Sequence, residues 1–418
     1  MSGPKLRIAL FTHSVNPRGG VVHTVELAAA LHRRGCDVTI FAPASDREAM
    51  FRGSPCPVVL ARIADAPRDM VAMVRARIDA LKHALSACAA DAFDVLHAQD
   101  SISGNALAEL KAAGAIRGFV RTVHHLDRFA EPQLARWQQR AWQDADTLLC
   151  VSDGWTRAMR DEHGVDAWTV PNGVDTERYR SAPHGDDVHA ADCALRERLG
   201  IGAGGPVILA VGGIEARKNT LRLLEAFALL RARPTAAQLV IAGGASLLDH
   251  DRHTRRFIER MGELGVASGP FEPVVLTGPL DDAAMPGLFR IADVVAMVSL
   301  REGFGLVVLE ALASGKPVVV SQRAPFDEYL DERTCCWAQP DDPESIAAAL
   351  RRALADRGGI DFEQAVPALL RRFSWDSSAS RHLELYRQHV ARVPHAPRAP
   401  RATGTTAETL LTESTPCP

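Results

Sequence analysis

Two glutamates at helical spacing mark the segment of this chain with the clearest chemistry. Glu302 and Glu310 lie in the segment 299–310, which follows a predicted strand over 293–298 and leads into a predicted helix. With a rise of about 1.5 Å per residue, their backbones are on the order of 10 Å apart. One carboxylate could accept hydrogen bonds from sugar hydroxyls and the other from ribose hydroxyls, at the two ends of a sugar–diphosphate–ribose. The alternative is a surface glutamate before a helix, followed by a second glutamate paired with a lysine.

Glycines precede two predicted helices and could expose backbone to an anion. Gly303 and Gly305 let a ligand approach the chain closely, and the helix that follows presents free N–H groups and the positive end of its dipole. Gly19 and Gly20 likewise precede a predicted helix, the one that follows the first predicted strand. A flexible loop is the alternative at Gly19 and Gly20.

Adjacent cations follow the first predicted strand of the second half of the chain. Arg217 and Lys218 can bind phosphate oxygens, the arginine through two parallel hydrogen bonds. Cations at a helix start oppose the helix dipole, which favours a ligand over the alternative of a solvated charge pair. The surrounding segment 211–219 is not G-x-G-x-x-G, so it does not match the dinucleotide-binding fingerprint.

Polar residues lie at the carboxyl ends of two other predicted strands in the first half of the chain. His124 and Asp127 lie in the segment 122–127, where a histidine could reach a cleft as a hydrogen-bond donor or acid. A packed polar histidine is the alternative. Asn172 lies in the turn 171–175, near the predicted interdomain hinge, where a plain Asn-Gly turn is the alternative.

The sequence predicts no metal site. The D-x-D pairs at 144–146 and 249–251 match a pattern that can hold a divalent ion with a nucleotide, but so short a match is weak and we interpret both as solvated loops. The eight cysteines include no C-x-x-C pair. We interpret them as reduced, mostly buried thiols of a cytoplasmic protein.

The elements that position these residues alternate between apolar runs and amphipathic stretches. This alternation predicts β-α-β units, parallel sheets and the α/β class, with two three-layer domains of similar size. The predicted strands are 7–11, 37–42, 58–63, 94–97, 119–123, 147–151, 167–170, 207–211, 238–241, 274–277, 293–298 and 317–320. The predicted helices are 22–34, 70–87, 133–142, 221–232, 252–264, 285–291, 305–314, 346–354 and 375–391.

Glycine, proline and aspartate concentrate between the two halves. We predict a first domain over 1–178, a linker over 179–206 with a short helical stretch at 195–199, and a second domain over 207–372. A final helix over 373–391 follows the second domain. The Pro/Thr/Ala-rich residues 392–418 are predicted to be disordered.

Composition excludes several classes of protein. The 418 residues carry 48 Lys+Arg and 51 Asp+Glu, a net charge of −3, which argues against a dedicated nucleic-acid binder. The first apolar run is far too short for a signal peptide or a membrane span, and no other apolar run approaches 18 residues. We therefore predict a cytoplasmic protein whose membrane contact is at most peripheral.

Taken together and in this order, the segments resemble the retaining GT-B glycosyltransferases of the GT4-type family. The most specific element is Glu302-x7-Glu310 within Glu-Gly-Phe-Gly-Leu-x-x-x-Glu-Ala, and the resemblance covers about residues 7–391. It implies two Rossmann-like domains facing across a cleft, with the final helix crossing back to the first domain. It also implies transfer of a hexosyl unit from a nucleoside diphosphate sugar, without metal or further cofactor, to a small-molecule, glycan or lipid acceptor not identified by the sequence.

The resemblance also assigns roles by position. Glu310 binds the ribose and Glu302 the sugar hydroxyls, while Lys218 binds the diphosphate and Gly20 borders it. His124 lines the reaction centre. The implied donor-binding set is Gly20, Arg217, Lys218, Glu302, Gly303, Phe304, Gly305, Leu306 and Glu310; the catalytic set is His124, Glu302 and Lys218; and Gly19, Asp127 and Asn172 line the cleft.

One position departs from the family pattern. The family usually has arginine five residues before the phosphate-binding lysine, and here that position is Gly213. Arg217 is the candidate replacement for the missing charge. Two alternatives stay open: a nucleotide-sugar sensor or scaffold without turnover, and a GT-B-like epimerase that needs no acceptor. A NAD-dependent dehydrogenase is disfavoured, because no glycine fingerprint follows the first strand.

Overall fold

The strands of the first half form one parallel sheet. The computed structural model describes residues 5–63, 67, 69–89, 91–181, 186–231, 236–244 and 251–393. The strands are β1 Arg7–Phe11, β2 Asp37–Ala44, β3 Val58–Arg62, β4 Val95–Ala98, β5 Val120–Val123, β6 Thr147–Cys150 and β7 Trp168–Thr169. Their order across the sheet is β3-β2-β1-β4-β5-β6-β7. The helices between them are α1 Gly19–Arg33, α2 Met70–Ser86, α3 Ser101–Ala112, α4 Pro132–Gln143 and α5 Asp153–His163.

The strands of the second half form another parallel sheet. They are β8 Val207–Val211, β9 Gln238–Ala242, β10 Val274–Gly278, β11 Val294–Met297, β12 Val318–Ser321 and β13 Cys336–Ala338, in the order β10-β9-β8-β11-β12-β13. The remaining helices are α6 Asp186–Arg198, α7 Thr220–Arg231, α8 Asp251–Glu263, α9 Met285–Ile291, α10 Leu306–Ala313, α11 Pro343–Asp356, α12 Ala365–Arg372 and α13 Trp375–Arg392. The parallel sheets with helices between their strands confirm the predicted α/β class.

Apolar strand residues explain why both sheets are interior layers. Strands such as β6 and β12 are buried along their whole length, as expected when helices cover both faces of a parallel sheet. Because consecutive strands run in the same direction, their carboxyl ends meet at one edge of each sheet. The loops that leave those ends are therefore brought together, and all the predicted site segments are among them.

The last helix, α13, packs on the first sheet. Trp375, Leu385 and Tyr386 are buried in one apolar cluster with residues of β1, β2 and α1. The chain reaches this position through a short parallel bridge between Val174 and Ser374. The helix therefore joins the end of the chain to the half that carries α1.

Several elements differ from those predicted. Helices α3, α5 and α12 and strand β13 were not predicted, and α6 begins at Asp186 rather than at 195. In α3, small and polar residues are buried because α4 lies against it: a β-carbon on Gly104 would come within 2.7 Å of that of Ala141. Burial on nearly all sides removes the apolar stripe by which a helix is recognised in sequence. Residues 394–418, which include most of the predicted disordered tail, lie outside the described residues.

The described cysteines are free thiols. Five of them are buried, while Cys88 is half-buried and Cys193 is exposed. The buried set is Cys36, Cys56, Cys150, Cys335 and Cys336.

We predict that Gly173→Ala loosens the attachment of α13. A β-carbon at Gly173 would collide with the backbone of Ser374 and Trp375. Such overpacking costs roughly 1–3 kcal/mol and lowers the thermal unfolding midpoint by several degrees. The matched control is Gly53→Ala, where a β-carbon meets no atom within 4 Å. Equal midpoints for the two variants, measured by calorimetry, would contradict this account.

Candidate active site

The predicted site segments lie at the carboxyl edges of the two sheets. Gly19 and Gly20 open α1 after β1, and His124 follows β5 in the same sheet. Lys218 follows β8, and Glu302 lies between β11 and α10 in the other sheet. Contacts between the two edges bring these segments together.

An ion pair links two loops of the second sheet. Lys218 Nζ lies 2.7 Å from Glu302 Oε2, and the two side chains are only 13% and 12% exposed. Arg217 Nη1 lies 3.3 Å from Glu302 Oε1, and its Nε lies 2.9 Å from Glu215 Oε2. Two cations from the β8–α7 loop therefore flank one carboxylate from the β11–α10 loop.

These charges decide the ionisation of Glu302. Burial alone would raise the pKa of its carboxyl group, but Lys218 and Arg217 outweigh that effect and hold the pKa at about 2. The Ser299 hydroxyl adds a hydrogen bond of 3.2 Å to Oε2. Glu302 is therefore an ionised hydrogen-bond acceptor throughout the physiological pH range.

His124 lies where the two sheet edges touch. A β-carbon on Gly20 would come within 3.6 Å of the His124 ring, and one on Gly303 would collide with the His124 carbonyl oxygen. Gly20 belongs to α1, whereas Gly303 belongs to the loop of Glu302. Gln99 Oε1 lies 3.2 Å from His124 Nε2. Burial lowers the pKa of His124 well below its ordinary value, so the ring is neutral at pH 7.

The helices that begin at this meeting point lack side-chain caps. Arg18 precedes α1 and Gly305 precedes α10, and neither side chain bonds to its helix start. Side-chain oxygens cap α2, α3, α4, α5, α11 and α13, whereas α9 and α12 lack such caps as α1 and α10 do. Uncapped N–H groups and the positive ends of the helix dipoles favour an anion at both places.

The backbone around Gly305 is shaped by aromatic packing. Gly305 has a φ of 93°, a conformation that glycine adopts without strain. Phe304 is 4% exposed and stacks on Tyr329 at a centroid distance of 5.1 Å, while the Tyr329 hydroxyl donates to the Phe304 carbonyl at 2.8 Å. Leu306 begins α10. This packing keeps the Phe304 side chain in the core.

Glu310 lies within α10 and has a different environment from that of Glu302. Its side chain is 9% exposed. Burial raises the pKa of its carboxyl group to about 7, the hydroxyl of Tyr179 opposes that rise, and Glu26 adds to it. Among the described residues, no cation bonds to Glu310, in contrast to Glu302, and the carboxyl group of Glu310 changes charge near neutral pH.

A charged bridge close to Glu310 joins the two halves of the chain. Arg52, in the loop after β2, binds Asp282 through two hydrogen bonds of 2.7 Å and also pairs with Glu26 of α1. Arg178 donates to the same Asp282 carboxylate at 2.6 Å. The bridge crosses from α1 and β2 to the segment before α9, so it holds the two sheet edges close together.

Asn172 supports His124 through another histidine. Asn172 is 4% exposed, and its Oδ1 lies 2.9 Å from His23 Nδ1. The His23 ring packs edge-on against that of His124, with centroids 4.7 Å apart. Of the other two residues predicted to line the cleft, Asp127 pairs with His125 at 3.3 Å, and Gly19 has open space where a side chain would lie.

Two contacts between the sheet edges were not found from the sequence. The Trp155 indole donates to the Glu302 carbonyl at 3.1 Å. Glu328 accepts hydrogen bonds from the backbone N–H groups of Asp153 and Gly154, at 2.9 and 2.6 Å. Both contacts involve α5, whose capping residue Ser152 was a sequence signal that could have revealed the helix.

The first of the two D-x-D pairs has a structural role. Asp146 accepts hydrogen bonds from Lys111 Nζ at 2.7 Å and from the Phe119 backbone at 2.9 Å, so its carboxylate ties α3 to β5. Asp249 and the side chain of Asp251 lie outside the described residues.

In the part of the chain that the structure describes, no helix is long and apolar enough to cross a bilayer.

Comparison with known proteins decides the family. Residues 17–178 match a family model described as "Glycosyltransferase Family 4", and residues 205–356 match one described as "Glycosyl transferases group 1". The chain is 30% identical to a D-inositol 3-phosphate glycosyltransferase of Xylanimonas cellulosilytica, over 90% of this chain and 93% of that protein. The chain belongs to the GT4-type family of glycosyltransferases. It is also 26% identical to a lipopolysaccharide 1,2-N-acetylglucosaminetransferase of Salmonella typhimurium, over 63% and 66% of the two chains.

Solved structures show that this glycosyltransferase has the GT-B fold. A sucrose-phosphate synthase from Thermosynechococcus elongatus superposes with a TM-score of 0.73 at 21% identity, covering 93% of this chain and all of that one. Anabaena HepE in complex with UDP-glucose superposes with a TM-score of 0.70 at 18% identity, covering 92% of this chain and all of that one.

Gly213 lies where the resemblance described above leads us to expect an arginine. A β-carbon at this position would collide with the carbonyl oxygen of Gly244, so the local backbone excludes an arginine. The guanidinium of Arg217 instead lies beside Glu302, next to Lys218. A second positive charge is therefore present in the cluster, although it comes from a different position in the loop.

We predict that Lys218→Met destabilises this glycosyltransferase at pH 7 by roughly 1–3 kcal/mol, because Glu302 loses its 2.7 Å partner while it remains buried. The folded-state pKa of Glu302 is about 2, below its ordinary value. Its stabilising contribution is therefore present above pH 4.5 and is lost as the pH falls toward 2. The loss in the variant should accordingly shrink between pH 7 and pH 4.

Urea unfolding at pH 7 and pH 4 measures this effect. Lys5→Met, which removes the partner of Asp37 in an ion pair with both side chains more than half exposed, should cost less than about 1 kcal/mol. Adding Glu302→Gln should restore part of the stability lost in Lys218→Met. A loss that is independent of pH would contradict the assigned role of the ion pair.

Proposed function

We propose that the chain transfers a hexosyl unit from a nucleoside diphosphate sugar to a hydroxyl group of an acceptor, with retention of the anomeric configuration. The observation that carries the proposal is the convergence of two uncapped helix starts on His124, one from each sheet. Lys218 and Arg217 lie beside them. A diphosphate in this place meets backbone N–H groups from α1 and α10 and two cationic side chains.

In the proposed reaction, the bond between the sugar and the diphosphate breaks and a bond forms from the anomeric carbon to an acceptor oxygen. The attack occurs on the face from which the phosphate leaves, and the departing phosphate takes the acceptor proton. Lys218, Arg217 and the helix starts stabilise the charge that develops on the diphosphate. We propose no role for a metal ion or a further cofactor.

The glutamates divide recognition of the donor between them. Glu302, permanently ionised, accepts hydrogen bonds from sugar hydroxyls, and Glu310 accepts them from the ribose hydroxyls. Neutral His124 lies beside the sugar and provides a hydrogen-bonding group there. This division matches the different environments of the two carboxylates: Glu302 is paired with cations, whereas Glu310 is buried with no cation bonded to it among the described residues.

The names of similar proteins agree with this donor class. HepE is crystallised with UDP-glucose, and the Xylanimonas relative is named for an inositol phosphate acceptor. We propose a nucleotide-sugar donor on this support, and a small-molecule, glycan or lipid acceptor.

Nucleotide binding tests the proposal directly. In thermal-shift measurements without added metal, UDP, GDP, ADP and dTDP are compared, and one of them should stabilise the protein by about 2.7 kcal/mol at 100 times its dissociation constant. Glu310→Ala should weaken that nucleotide roughly 30-fold or more, because it removes hydrogen bonds to a charged acceptor. The exposed Glu332 supplies the control variant Glu332→Ala, which should bind as the unmodified protein does.

The outcomes separate the alternatives. No shift with any nucleotide would contradict the proposal. Binding of a sugar nucleotide without transfer to any acceptor would favour a sensor, and product formation without an acceptor would favour an epimerase.

We further predict that affinity for the sugar nucleotide rises by up to about tenfold between pH 6 and pH 8. The pKa of Glu310 is raised to about 7 by burial, and only its ionised form accepts both ribose hydrogen bonds. The diphosphate of a sugar nucleotide does not titrate in this range. Calorimetric titrations should show a profile that levels off above pH 8 and is flat and weak in Glu310→Gln; affinity that falls with rising pH would contradict the ribose assignment.

A further inference from the structure

Two pairs of polar side chains lie next to each other on the first sheet, beside the proposed reaction centre. His97 and Gln99 are two residues apart where β4 ends, and Thr122 and His124 are two residues apart where the neighbouring strand β5 ends. Side chains two residues apart point to the same face of a sheet, so the pairs can meet. His97 Nε2 lies 2.8 Å from Thr122 Oγ1, and Gln99 Oε1 lies 3.2 Å from His124 Nε2. The four side chains therefore form a connected polar group that ends at His124.

The amide of Gln99 is enclosed and bonded at both ends. Gln99 is 1% exposed, and His97 is 0% exposed. Gln99 Nε2 lies 3.3 and 3.4 Å from the two ring nitrogens of His97. A buried amide that lost either contact would leave a polar group unpaired, which is costly. Gln99 therefore links the His97 ring to the His124 ring.

Hydroxyl groups hold His97 from both sides. The hydroxyl of Tyr386, in α13, lies 2.7 Å from His97 Nδ1, and that of Thr122 lies at Nε2. Burial, with a further contribution from His382, lowers the pKa of His97 well below its ordinary value. The ring is therefore neutral at pH 7, with one N–H group and one bare nitrogen, and each of them meets a hydroxyl.

The neutral His97 ring decides which end of the Gln99 amide faces it. The single ring N–H points at a hydroxyl, so a carbonyl oxygen in this place would meet the lone pair of the bare nitrogen. The amide NH2 group instead can donate to that nitrogen. The NH2 group therefore faces His97, and the carbonyl oxygen of Gln99 is directed to His124.

An amide oxygen beside His124 determines where that ring carries its proton. Gln99 Oε1 has no hydrogen to donate, so the 3.2 Å contact is a hydrogen bond only if His124 Nε2 donates. Since burial keeps the His124 ring neutral by lowering its pKa, Nδ1 is then bare. Among the described residues, the half-buried His124 ring forms no other hydrogen bond. Nδ1 is therefore left to accept a hydrogen bond from a hydroxyl group.

We propose that Gln99 is a positioning residue that fixes the proton of His124 on Nε2 and thereby makes Nδ1 a hydrogen-bond acceptor for a hydroxyl of the donor sugar. Gln99 is buried and acts through His124. His97 and Tyr386 hold Gln99 in this orientation, so the crossing helix α13 helps to set the protonation site of His124. This inference rests on the proposed function, because it defines what His124 offers to the sugar.

Nuclear magnetic resonance of the full chain without ligand tests the protonation site. Histidine is labelled with 15N, and the signal of His124 is identified by its loss in His124→Asn. The unmodified protein should carry the His124 proton on Nε2 at pH 7. Gln99→Met removes the acceptor oxygen, so a second population with the proton on Nδ1 should appear. Gln99→Glu keeps an oxygen in place and should retain the single form protonated on Nε2.

Binding measurements test whether this protonation site matters for the sugar. UDP-glucose and UDP are titrated by calorimetry. Gln99→Met should weaken UDP-glucose roughly three- to tenfold, the loss expected for one hydrogen bond. It should leave UDP affinity unchanged, because in the proposed site His124 contacts the sugar and not the nucleotide. His124→Ala should weaken UDP-glucose at least as much, and adding Gln99→Met to His124→Ala should cause no further loss.

Gln238 supplies the matched control, because it is another buried glutamine that is bonded at both ends. It is 5% exposed, its Oε1 accepts from the Gly202 backbone at 2.7 Å, and its Nε2 donates to the Glu272 carbonyl at 2.7 Å. It begins β9, at the opposite edge of the second sheet from the site. Gln238→Met should lower the thermal unfolding midpoint as Gln99→Met does, and leave the His124 signal and the UDP-glucose affinity unchanged.

Four results would overturn the inference: a His124 proton on Nδ1 in the unmodified protein, a single form protonated on Nε2 that persists in Gln99→Met, unchanged UDP-glucose affinity in Gln99→Met, or a further loss when Gln99→Met is added to His124→Ala. The first result needs no variant at Gln99, so it decides the matter if Gln99→Met fails to fold. Failure of the proposed function is seen separately, as absence of nucleotide binding to the unmodified protein. The spectrum recorded without ligand then still decides whether Gln99 fixes the proton of His124.

Discussion

The contact between Gly303 and the carbonyl of His124 is the constraint around which the molecule is arranged. Only a residue without a side chain allows the two sheet edges to approach this closely. The approach brings the uncapped starts of α1 and α10 to one place. Distant contacts maintain it: Arg52 reaches from the first half of the chain to Asp282, and Glu328 reaches back to the start of α5.

Electrostatics give Glu302 and Glu310 opposite behaviour within one short segment. Lys218 and Arg217 lie against Glu302 and keep it ionised, with a pKa of about 2. Glu310, about one turn into α10, is buried with no cation bonded to it among the described residues, and its pKa is about 7. The same residue type thus provides a fixed charge at one end of the proposed donor site and a titrating group at the other, because the local environment sets the cost of the charge.

The crossing helix α13 does more than close the first sheet. His23, whose ring contacts His124, also packs against Trp375 and His382 of α13 at centroid distances of 5.3 and 5.9 Å. Burial lowers the pKa of His23 to about 3 and that of His382 to about 4, so these rings are neutral at pH 7 and pack as polar core. The position of His124 therefore depends on a helix more than 250 residues away in the chain.

Local sequence was enough for the α/β class, most strands and the segments of the proposed site, because apolar runs and glycine-rich strand ends carry their own signals. The Glu302–Glu310 segment also identified the family. Contacts between distant residues decided the rest: α3 lost its apolar stripe because it is buried against α4, and Asn172 reaches His124 through His23. The spacing of residues along the chain indicates helices, strands and motifs. Burial and charge pairing depend on residues that are far apart in the sequence, and only the tertiary structure brings those residues together.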